Sequence, residues 1–409
     1  MTDQLAGIYG GVDTHKDQHV AAVIDHTGRI VEVGSFGADL EGYRSLEAWM
    51  RSFGPIVKVG VEGTSSYGVG LARHLVGAGV EVVEVIRPNR QTRRRRGKSD
   101  TVDAEAAARA ALSGDATAVP KGNDGIVESI RALRVALCST RSHRTRVANQ
   151  IGDLITTAPD QLRAGLEPLS AAVRVRRCAR FRPGDLTEPA EATKAALRTL
   201  ARQHQVLDAD LAELRRHLDE LTAAANPALR AAKGIGPDTA SILLIAAGDN
   251  PHRLRSEASF AALCGASPVE ASSGKITRHR LNTGGNRQAN HALWRIAMVR
   301  LSTDPSTRAY AQRRQTDGKT RRETIRCLKR YIAREVYRLL TNPQPATATT
   351  NTTSDLRTQR QHAGATLQHA ANCLNTWPST ISRIEHGKTP NHHLVPAYRN
   401  WLNTQTPAA

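Results

Sequence analysis

The first 113 residues alternate between short β-rich runs and segments with a helical hydrophobic period. Three β-rich runs come first, Ile8–Asp13, His19–Asp25 and Ile30–Phe36, with turn residues at 26–29 between the last two. A helix, a valine-rich strand, a helix, a strand and an alanine-rich helix follow at Leu40–Arg51, Ile56–Glu62, Tyr67–Ala78, Glu81–Ile86 and Asp100–Ser113. This order, βββαβαβα, predicts a mixed sheet with helices on its faces.

Two later segments, residues 130–154 and 197–221, keep the three-four spacing of apolar residues that is typical of coiled-coil helices. Such helices pair within one chain or between subunits, and the spacing leaves both arrangements open. Thr140 and Arg144 occupy seam positions in the first segment, and His204 occupies one in the second. Polar seam residues lower stability but fix register. We therefore interpret His204 as a packing residue rather than a ligand.

A helical region begins near Leu229 with KGIGPDTASILL. Its helix-hairpin-helix-like turn, with Gly234 and Gly236, would present backbone N–H groups to a phosphate. The polar Pro/Thr stretch that follows this region reads as a linker. The predicted domains are 1–120 (α/β), 121–228 (coiled-coil helices for dimerisation), 229–340 (mostly α, catalytic), 341–353 (linker) and 354–409 (small, all α).

The chain carries 57 Lys and Arg against 38 Asp and Glu, a formal net charge of +19. Such a surface attracts polyanions, of which nucleic acids are the commonest soluble kind. Neither an apolar run of membrane-spanning length nor a signal peptide is evident, so we expect no membrane partner. Five scattered cysteines argue for the reducing cytosol. Aromatic residues make up only 4%, which argues against base stacking as the main mode of binding.

Four acids stand at strand ends or at a helix start. Asp13 ends the first predicted strand, Glu62 ends the valine-rich strand, and Asp100 and Asp103 share one face at the start of a helix. Mg²⁺ (or Mn²⁺) prefers such hard oxygen ligands, and paired ions need carboxylates from several elements. Taken singly, Asp100 could cap its helix, Asp103 could be favoured by the helix dipole and Asp13 could belong to a turn. Together the four predict a metal site.

A dense cation cluster precedes the last two acids: Arg90, Arg93, Arg94, Arg95, Arg96 and Lys98. It is either a solvated basic turn or a clamp for a nucleic-acid backbone, and beside a metal site we favour the clamp. Neutralising these cations should then weaken nucleic-acid binding broadly and flatten its salt dependence.

GGVDTHKDQHVAAV, VGVEGTSSYG and GKSDTVDA together resemble the three DEDD blocks of insertion-sequence family one-ten transposases. In that family a domain similar to the Holliday-junction resolvase RuvC is joined to a serine-bearing domain. The resemblance implies an RNase H-like (RuvC-like) fold, with the metal-binding acids at Asp13, Glu62, Asp100 and Asp103. It leaves His15, Lys16 and His19 without a role.

Three later stretches, GIGPDTASILLIAAGD, FAALCGASPVEASSGKITR and TGGNRQANHALWRIA, resemble the serine-bearing domain in the same order. The resemblance implies Ser273 as the nucleophile, with Ser272 one residue away as the alternative. The chain reads Gly-Ala-Ser-Pro at 265–268, where a bulkier apolar residue often follows the glycine. By itself, Ser-Ser-Gly would be an ordinary polar loop. The cations that would neutralise a phosphate under attack are Lys275, Arg278, His279 and Arg280.

The resemblance also implies partners. These are double-stranded DNA at the element ends and target, a noncoding guide RNA from the element, and a homo-oligomer, dimer or tetramer. In the oligomer the acids of one subunit would meet the serine of another, in the cytoplasm at the nucleoid. None of these partners is visible in the residues themselves.

Residues 356–390 resemble the helix-turn-helix of XRE/Cro-like repressors. Asn375 takes the turn position because Asn tolerates the left-handed region, and Pro378 suits a helix first turn. Ser379, Thr380 and Arg383 would then face a major groove. A helical hairpin that binds protein remains the alternative.

We therefore expect a metal-dependent DNA transposase or recombinase with a phosphoserine–DNA intermediate. Two alternatives stay open. One is a RuvC-like nuclease or junction resolvase that cuts with activated water and leaves no protein–DNA adduct. The other is a DNA-binding transcriptional regulator that uses the C-terminal module.

Overall fold

Five strands in the first 85 residues form one mixed sheet. The structure, a computed structural model, describes residues 7–85, 99–274, 279–342, 353–386 and 394–405. The strands, in the order β3-β2-β1-β4-β5, are β1 (Ile8–Thr14), β2 (Gln18–Ile24), β3 (Ile30–Gly37), β4 (Ile56–Glu62) and β5 (Val82–Val85). β1 pairs antiparallel with β2 and parallel with β4. The predicted mixed sheet is confirmed, with strand ends shifted by a residue or so.

Helices cover both faces of this sheet. α1 (Leu40–Arg51) and α2 (Val69–Gly77) pack on one face, where Leu46 and Leu75 join a core with Val59. The predicted start of α2 at Tyr67 was two residues early, because the chain is still turning through Gly68. α3 (Asp100–Ser113) lies on the opposite face, and its alanines contact β1, β2 and β4.

Two glycines bring α3 very close to the strands. A Cβ on Gly11 of β1 would lie 2.1 Å from the backbone nitrogen of Ala108, and one on Gly60 of β4 would lie 2.5 Å from the carbonyl oxygen of Ala107. No side chain fits at such distances, so each position requires glycine. The middle of α3 is therefore held closely against β1 and β4.

The two long helices pair within the chain. α4 (Ile126–Thr156) and α7 (Pro189–Ala225) run antiparallel, with the short helices α5 (Asp160–Leu166) and α6 (Ala171–Ala179) between them in sequence. Arg144 donates to Asp208 across the pair at 2.6 Å. Of the two arrangements that the spacing left open, pairing within the chain is observed, and dimerisation through these helices stays a prediction. His204 lies 3.2 Å from Asp208 on its own helix, and its packing role stays a prediction.

The rest of the first unit, Met1–Gln344, is mostly helical. Its elements are α8 (Pro227–Ala231), α9 (Pro237–Ala247), α10 (Glu257–Leu263), the two-stranded hairpin β6 (Val269–Glu270) and β7 (His279–Arg280), α11 (Arg287–Thr303), α12 (Pro305–Thr316) and α13 (Arg321–Thr341), with a 3₁₀ turn at Pro251–Arg253. Phe260, Leu293 and Ile332 are buried together in its core.

The described part of the second unit, Pro345–Ala409, contains four helices: α14 (Thr353–His362), α15 (Leu367–Cys373), α16 (Pro378–Glu385) and α17 (Val395–Gln405). Its core includes an ion pair between the guanidinium of Arg360 and the carboxylate of Glu385, with two N–O distances of 2.7 and 3.1 Å. The hydroxyl of Tyr398 also donates to Glu385 at 2.6 Å. A buried bidentate pair of this kind fixes how α14 meets α16. Among the described residues of the whole chain, no helix is long and apolar enough to cross a membrane.

Candidate active site

Two of the predicted acids lie side by side at the ends of parallel strands. Val12 pairs with Val61, so Asp13 and Glu62 come next on β1 and β4 at the same edge of the sheet. The hydroxyl of Thr14 donates to the Glu62 carbonyl oxygen at 2.8 Å, which ties the two strand ends together. Asp13 and Glu62 are 49 positions apart in the sequence, and the parallel pairing of β1 and β4 brings them together.

The start of α3 supplies the other two acids. Ser99 is the N-cap residue, and its hydroxyl accepts from the backbone N–H of Val102 at 3.3 Å. The alternative in which Asp100 caps this helix is therefore wrong, because Ser99 already does so. Asp100 is left half exposed in the first turn, while Asp103 one helical turn later is buried.

The electrostatics of Asp13 show that these acids crowd one another. The pKa of Asp13 is raised to about 6, chiefly by burial; His15 lowers it, and the negative charges of Glu62, Asp103 and Asp100 raise it. Packing carboxylates this closely costs free energy unless a proton or a cation is present. The arrangement is therefore one that a divalent cation would stabilise.

His15 is one of the three residues to which the sequence assigned no role. One ring nitrogen lies 3.9 Å from an Asp13 oxygen and the other 3.9 Å from an Asp100 oxygen. Ligand atoms of Asp13, His15 and Asp100 all lie within 4.8 Å of one another. This donor set, carboxylate oxygens with one imidazole, fits a divalent metal ion. The only sequence signal for His15 was its position two residues after Asp13.

The basic cluster cannot be placed beside these acids. Arg90, Arg93, Arg94, Arg95, Arg96 and Lys98 lie outside the described residues, which resume at Ser99. Their role as a backbone clamp stays a prediction.

Ser273 lies in the loop of the β6–β7 hairpin and is exposed, as is Ser272. Lys275 and Arg278 of the same loop lie outside the described residues, whereas His279 and Arg280 form β7. The start of the hairpin packs tightly, because a Cβ on Gly285 would lie 2.3 Å from the backbone nitrogen of Gly265. This close approach fixes where the serine loop leaves the helical core.

Asn290 of α11 connects this turn to α13. Its side-chain amide donates to the carbonyl oxygens of Cys264 and Gly265, both at 2.9 Å, and its own oxygen accepts from the ammonium of Lys329 at 2.6 Å. Burial lowers the pKa of Lys329, and the neighbouring Arg326 lowers it further. Nothing in the sequence pointed to Lys329, because it lies 39 residues from Asn290.

A cleft of about 870 Å³ opens between the hairpin and α11–α13. We call it the basic cleft. Its cationic walls are formed, besides Arg280, by Arg287, Arg314, Arg326, Lys329, Arg330 and Arg334. Trp294, Tyr310 and Tyr331 also line it, and none of the described lining residues is acidic. Of these residues, only Arg280 was predicted from the sequence to bind nucleic acid.

The predicted phosphate site at the Gly-Ile-Gly turn already has an anion nearby. Gly234 adopts a left-handed φ of +78°, and Gly236 is the N-cap of α9. In the first turn of α9, Asp238 accepts from Arg134 of α4 at 2.7 Å and from Arg295 of α11. Burial raises the pKa of Asp238, but these two hydrogen bonds outweigh it and lower the pKa to about 2. This carboxylate joins three helices, and phosphate binding at the turn stays a prediction.

In the second unit, Asn375 has a left-handed φ of +48°, as its predicted turn position requires, and Pro378 opens α16. Ser379 and Arg383 are exposed on α16, and Thr380 is half buried. These positions are open to a partner, and the nature of that partner stays a prediction.

Two family models match the chain, and together they cover more than half of it. Residues 10–158, which contain the four acids, match the DEDD transposase model of IS110. Residues 226–312, which contain the serine hairpin, match the model described as "Transposase IS116/IS110/IS902 family". The chain carries both domains of the IS110 transposase family.

The chain is also similar to a protein of an IS110 insertion element. The "Insertion element IS110 uncharacterized 43.6 kDa protein" of Streptomyces coelicolor is 31% identical over 116 residues. The matched stretch covers 28% of this chain and 28% of that protein. The two matched stretches contain the mixed sheet with its acids and the helical region with the serine hairpin, and they do not extend to the helices of the second unit.

Proposed function

We propose that this chain is a DNA transposase that cuts and rejoins strands through a covalent phosphoserine link. In this proposal Asp13, Glu62, Asp100 and Asp103 hold Mg²⁺ or Mn²⁺, and Ser273 is the nucleophile. The observation that carries the proposal is the crowding of carboxylates from two strands and one helix around Asp13, whose pKa is raised to about 6.

The four acids would bind the metal from two sides. Asp13 and Glu62 supply ligands from the fixed end of the sheet, and Asp100 and Asp103 supply them from α3, whose approach depends on Gly11 and Gly60. When bound, the metal would activate an attacking oxygen and stabilise the leaving oxygen of a phosphodiester. The imidazole of His15 orients Asp13 and Asp100 or completes the ligand set.

The serine step conserves the number of ester bonds. The Ser273 hydroxyl attacks phosphorus, the Oγ–P bond forms, the bond from phosphorus to the departing strand oxygen breaks, and the serine proton leaves while that oxygen gains one. The hydroxyl of a different strand end then attacks the phosphoserine and releases the serine. This rejoins the DNA without an outside energy source. Cations on and beside the hairpin, Lys275, Arg278, His279 and Arg280, would neutralise the phosphate during attack.

The proposed partners follow the family. They are double-stranded DNA at element ends and target, a noncoding guide RNA, and further copies of this chain in a dimer or tetramer that joins the acids of one subunit to the serine of another. The net charge of +19 supports a polyanionic partner. The second unit would bind DNA as a helix-turn-helix through Ser379, Thr380 and Arg383, at the element ends or at the element's own promoter, in the nucleoid.

A RuvC-like nuclease is the second candidate, and the completeness of the acid cluster within one domain favours it. Such an enzyme would cut with water and would not need Ser273. Because hydrolysis leaves free ends and no protein–DNA link, the two functions differ in their products.

The test is expression with the native flanking element DNA, which should include any guide RNA. Strand junctions and detergent-resistant protein–DNA adducts are measured for wild type, Ser273→Ala, Ser272→Ala and Asp100→Asn. Asp210→Asn is the matched control, because it makes the same charge change at an exposed position of α7 away from the cluster. We expect adducts and junctions in wild type, Ser272→Ala and Asp210→Asn, and neither product in Ser273→Ala or Asp100→Asn.

Other outcomes are equally informative. Junctions that survive Ser273→Ala but not Asp100→Asn would contradict the serine step and favour cutting by water. If adducts and junctions were lost in Ser272→Ala but not in Ser273→Ala, Ser272 would be the nucleophile. A wild type that gives no junctions would leave the DNA-binding regulator as the function to examine.

A further inference from the structure

Several cations of the basic cleft have no carboxylate counterion in the described part of the chain. Arg314 lies 3.4 Å from Asp317, and Arg334 lies 3.6 Å from Glu257. Arg287, Arg326 and Arg330 have no carboxylate within ion-pair distance among the described residues. One guanidinium nitrogen of Arg330, Nη1, is buried and has no hydrogen-bond partner in the described part of the chain. Cations gathered in a concave site without acids concentrate anions there.

The cleft also gathers aromatic rings in a chain that has few. Trp294 is 41% exposed and Tyr331 is 53% exposed, so both present ring surface to a ligand. The guanidinium of Arg334 lies 5.9 Å from the centre of the Tyr331 ring. Exposed rings interleaved with arginines are the combination that binds unpaired nucleotides, because bases stack on the rings while phosphates contact the cations. A paired duplex keeps its base faces covered and offers nothing to such rings.

The position of the cleft relates it to the serine. Its lining includes Ser267 and Pro268 before β6, and His279 and Arg280 of β7, so it borders both arms of the hairpin that carries Ser273. Lys329 in its wall is joined through Asn290 to the Gly265 turn. Its volume of about 870 Å³ is of the size that takes a ligand of drug or nucleotide dimensions rather than a whole duplex.

We propose that the basic cleft binds an unpaired stretch of polynucleotide strand, with phosphates on Arg287, Arg326 and Arg330 and a base against Trp294 or Tyr331. The inference deepens the proposed function, on which it rests, because it assigns the strand beside Ser273 an unpaired conformation. A DNA strand opened at the cleavage site and a single-stranded segment of RNA share this chemistry, and binding measurements distinguish them.

The test measures binding of the full chain to a labelled single-stranded DNA 12-mer, the same sequence as a duplex, and a single-stranded RNA 12-mer. Measurements in a chelator over a range of salt separate binding from strand cutting. Trp294→Ala should weaken single-strand binding about tenfold without changing its salt dependence, because it removes stacking. Arg326→Gln should weaken it and lower the slope of log K against log salt by about 0.7, because it removes one phosphate contact.

Matched variants control for folding and for charge. Trp294→Phe keeps a ring and should restore most of the binding. Arg322→Gln makes the same charge change at an exposed position of α13 outside the cleft lining, and should change binding less than twofold. The measurement follows binding without strand chemistry, so a failure of the serine step would not affect this result.

Two results would overturn the inference. One is unchanged single-strand binding in both Trp294→Ala and Arg326→Gln. The other is an equal loss on duplex and single strands in Trp294→Ala, which would mean a general effect on the domain. A loss seen with DNA, with RNA or with both supports the cleft as a single-strand site and identifies its source.

Discussion

Two aspartates of the first unit, the buried Asp13 and the half-buried Asp238, have opposite electrostatics. Asp13 lies among other carboxylates at the sheet edge, and its pKa is raised to about 6. Asp238 lies between Arg134 and Arg295 where α4, α9 and α11 meet, and its pKa is lowered to about 2. Both are largely removed from solvent, so burial alone does not explain the difference. The charge around Asp238 is balanced by the fold itself, whereas the charge around Asp13 is left for a ligand to balance.

The largest effect should come from removing an acid at the sheet edge. Asp13→Asn, Asp100→Asn and Asp103→Asn should each lower strand-transfer activity by more than about 100-fold, since even residues that only orient metal ligands cost up to that much. Junction yield in cells measures this. Asp238→Asn should retain activity in whatever fraction folds. Equal activity losses at Asp238 and at the edge would mean that the edge acids act only through stability.

The next effect is on stability. Asp238→Ala leaves Arg134 with a buried, uncompensated charge, and breaking a pair of this kind should lower the free energy of unfolding by about 3 kcal/mol. We place it at the low end of the usual range because the Asp238 side chain is 23% exposed. Urea unfolding followed by circular dichroism measures it. A loss below about 1 kcal/mol would show that Asp238 is no more than a surface pair.

The four acids at the sheet edge could largely be predicted from the sequence. The contact between Arg134 and Asp238 could not. Asp13 and Glu62 follow β-rich runs directly, and Asp100 and Asp103 begin an alanine-rich helix, so each carries a local signal. Parallel strand ends then converge by the geometry of the sheet. Arg134 and Asp238 are 104 residues apart, and only the packing of α4 against α9 brings them together.

The basic cleft could not be predicted from the sequence either, because its residues come from separate elements. Apart from Arg280 of β7, its cations and rings are distributed over α11, α12 and α13, where the sequence around each one is that of an ordinary helix. The aromatic content of 4% argued against stacking, but an average over 409 residues says nothing about three rings gathered in one place. Composition predicts the sign of the surface charge and not where it concentrates.

A smaller effect concerns pH: the free energy of unfolding should depend on pH in opposite directions through Asp13 and through Asp238. An acid with a raised pKa stabilises the fold only while it is protonated, so metal-free wild type should lose stability as pH rises from about 4 to about 6. Asp13→Asn lacks this loss, and above pH 6 it should be the more stable protein by about 2 kcal/mol. Urea unfolding in a chelator at pH 4, 5 and 7 measures the difference.

Asp238→Asn provides the opposite case. A lowered pKa stabilises the fold above the unfolded value near 4, and that contribution disappears as pH falls toward about 2. The variant should therefore be less stable than wild type at pH 7 and approach it in acid. A gain at neutral pH for Asp13→Asn and a loss for Asp238→Asn would establish the contrast, and changes of the same sign would refute it.

The smallest effect tests whether an ion pair with arginine stabilises the fold when, unlike the pair of Asp238, it is exposed to water. Asp208 accepts from Arg144 between α7 and α4 at 2.6 Å, a contact as short as the one between Arg134 and Asp238, but both side chains are more than a third exposed. Water already solvates these charges, so Asp208→Ala should change the free energy of unfolding by about 0.5 kcal/mol. The same urea titration measures it. If Asp208→Ala were as destabilising as Asp238→Ala, the long helix pair would depend on its ion pairs rather than its leucines, and the special position of Asp238 would disappear.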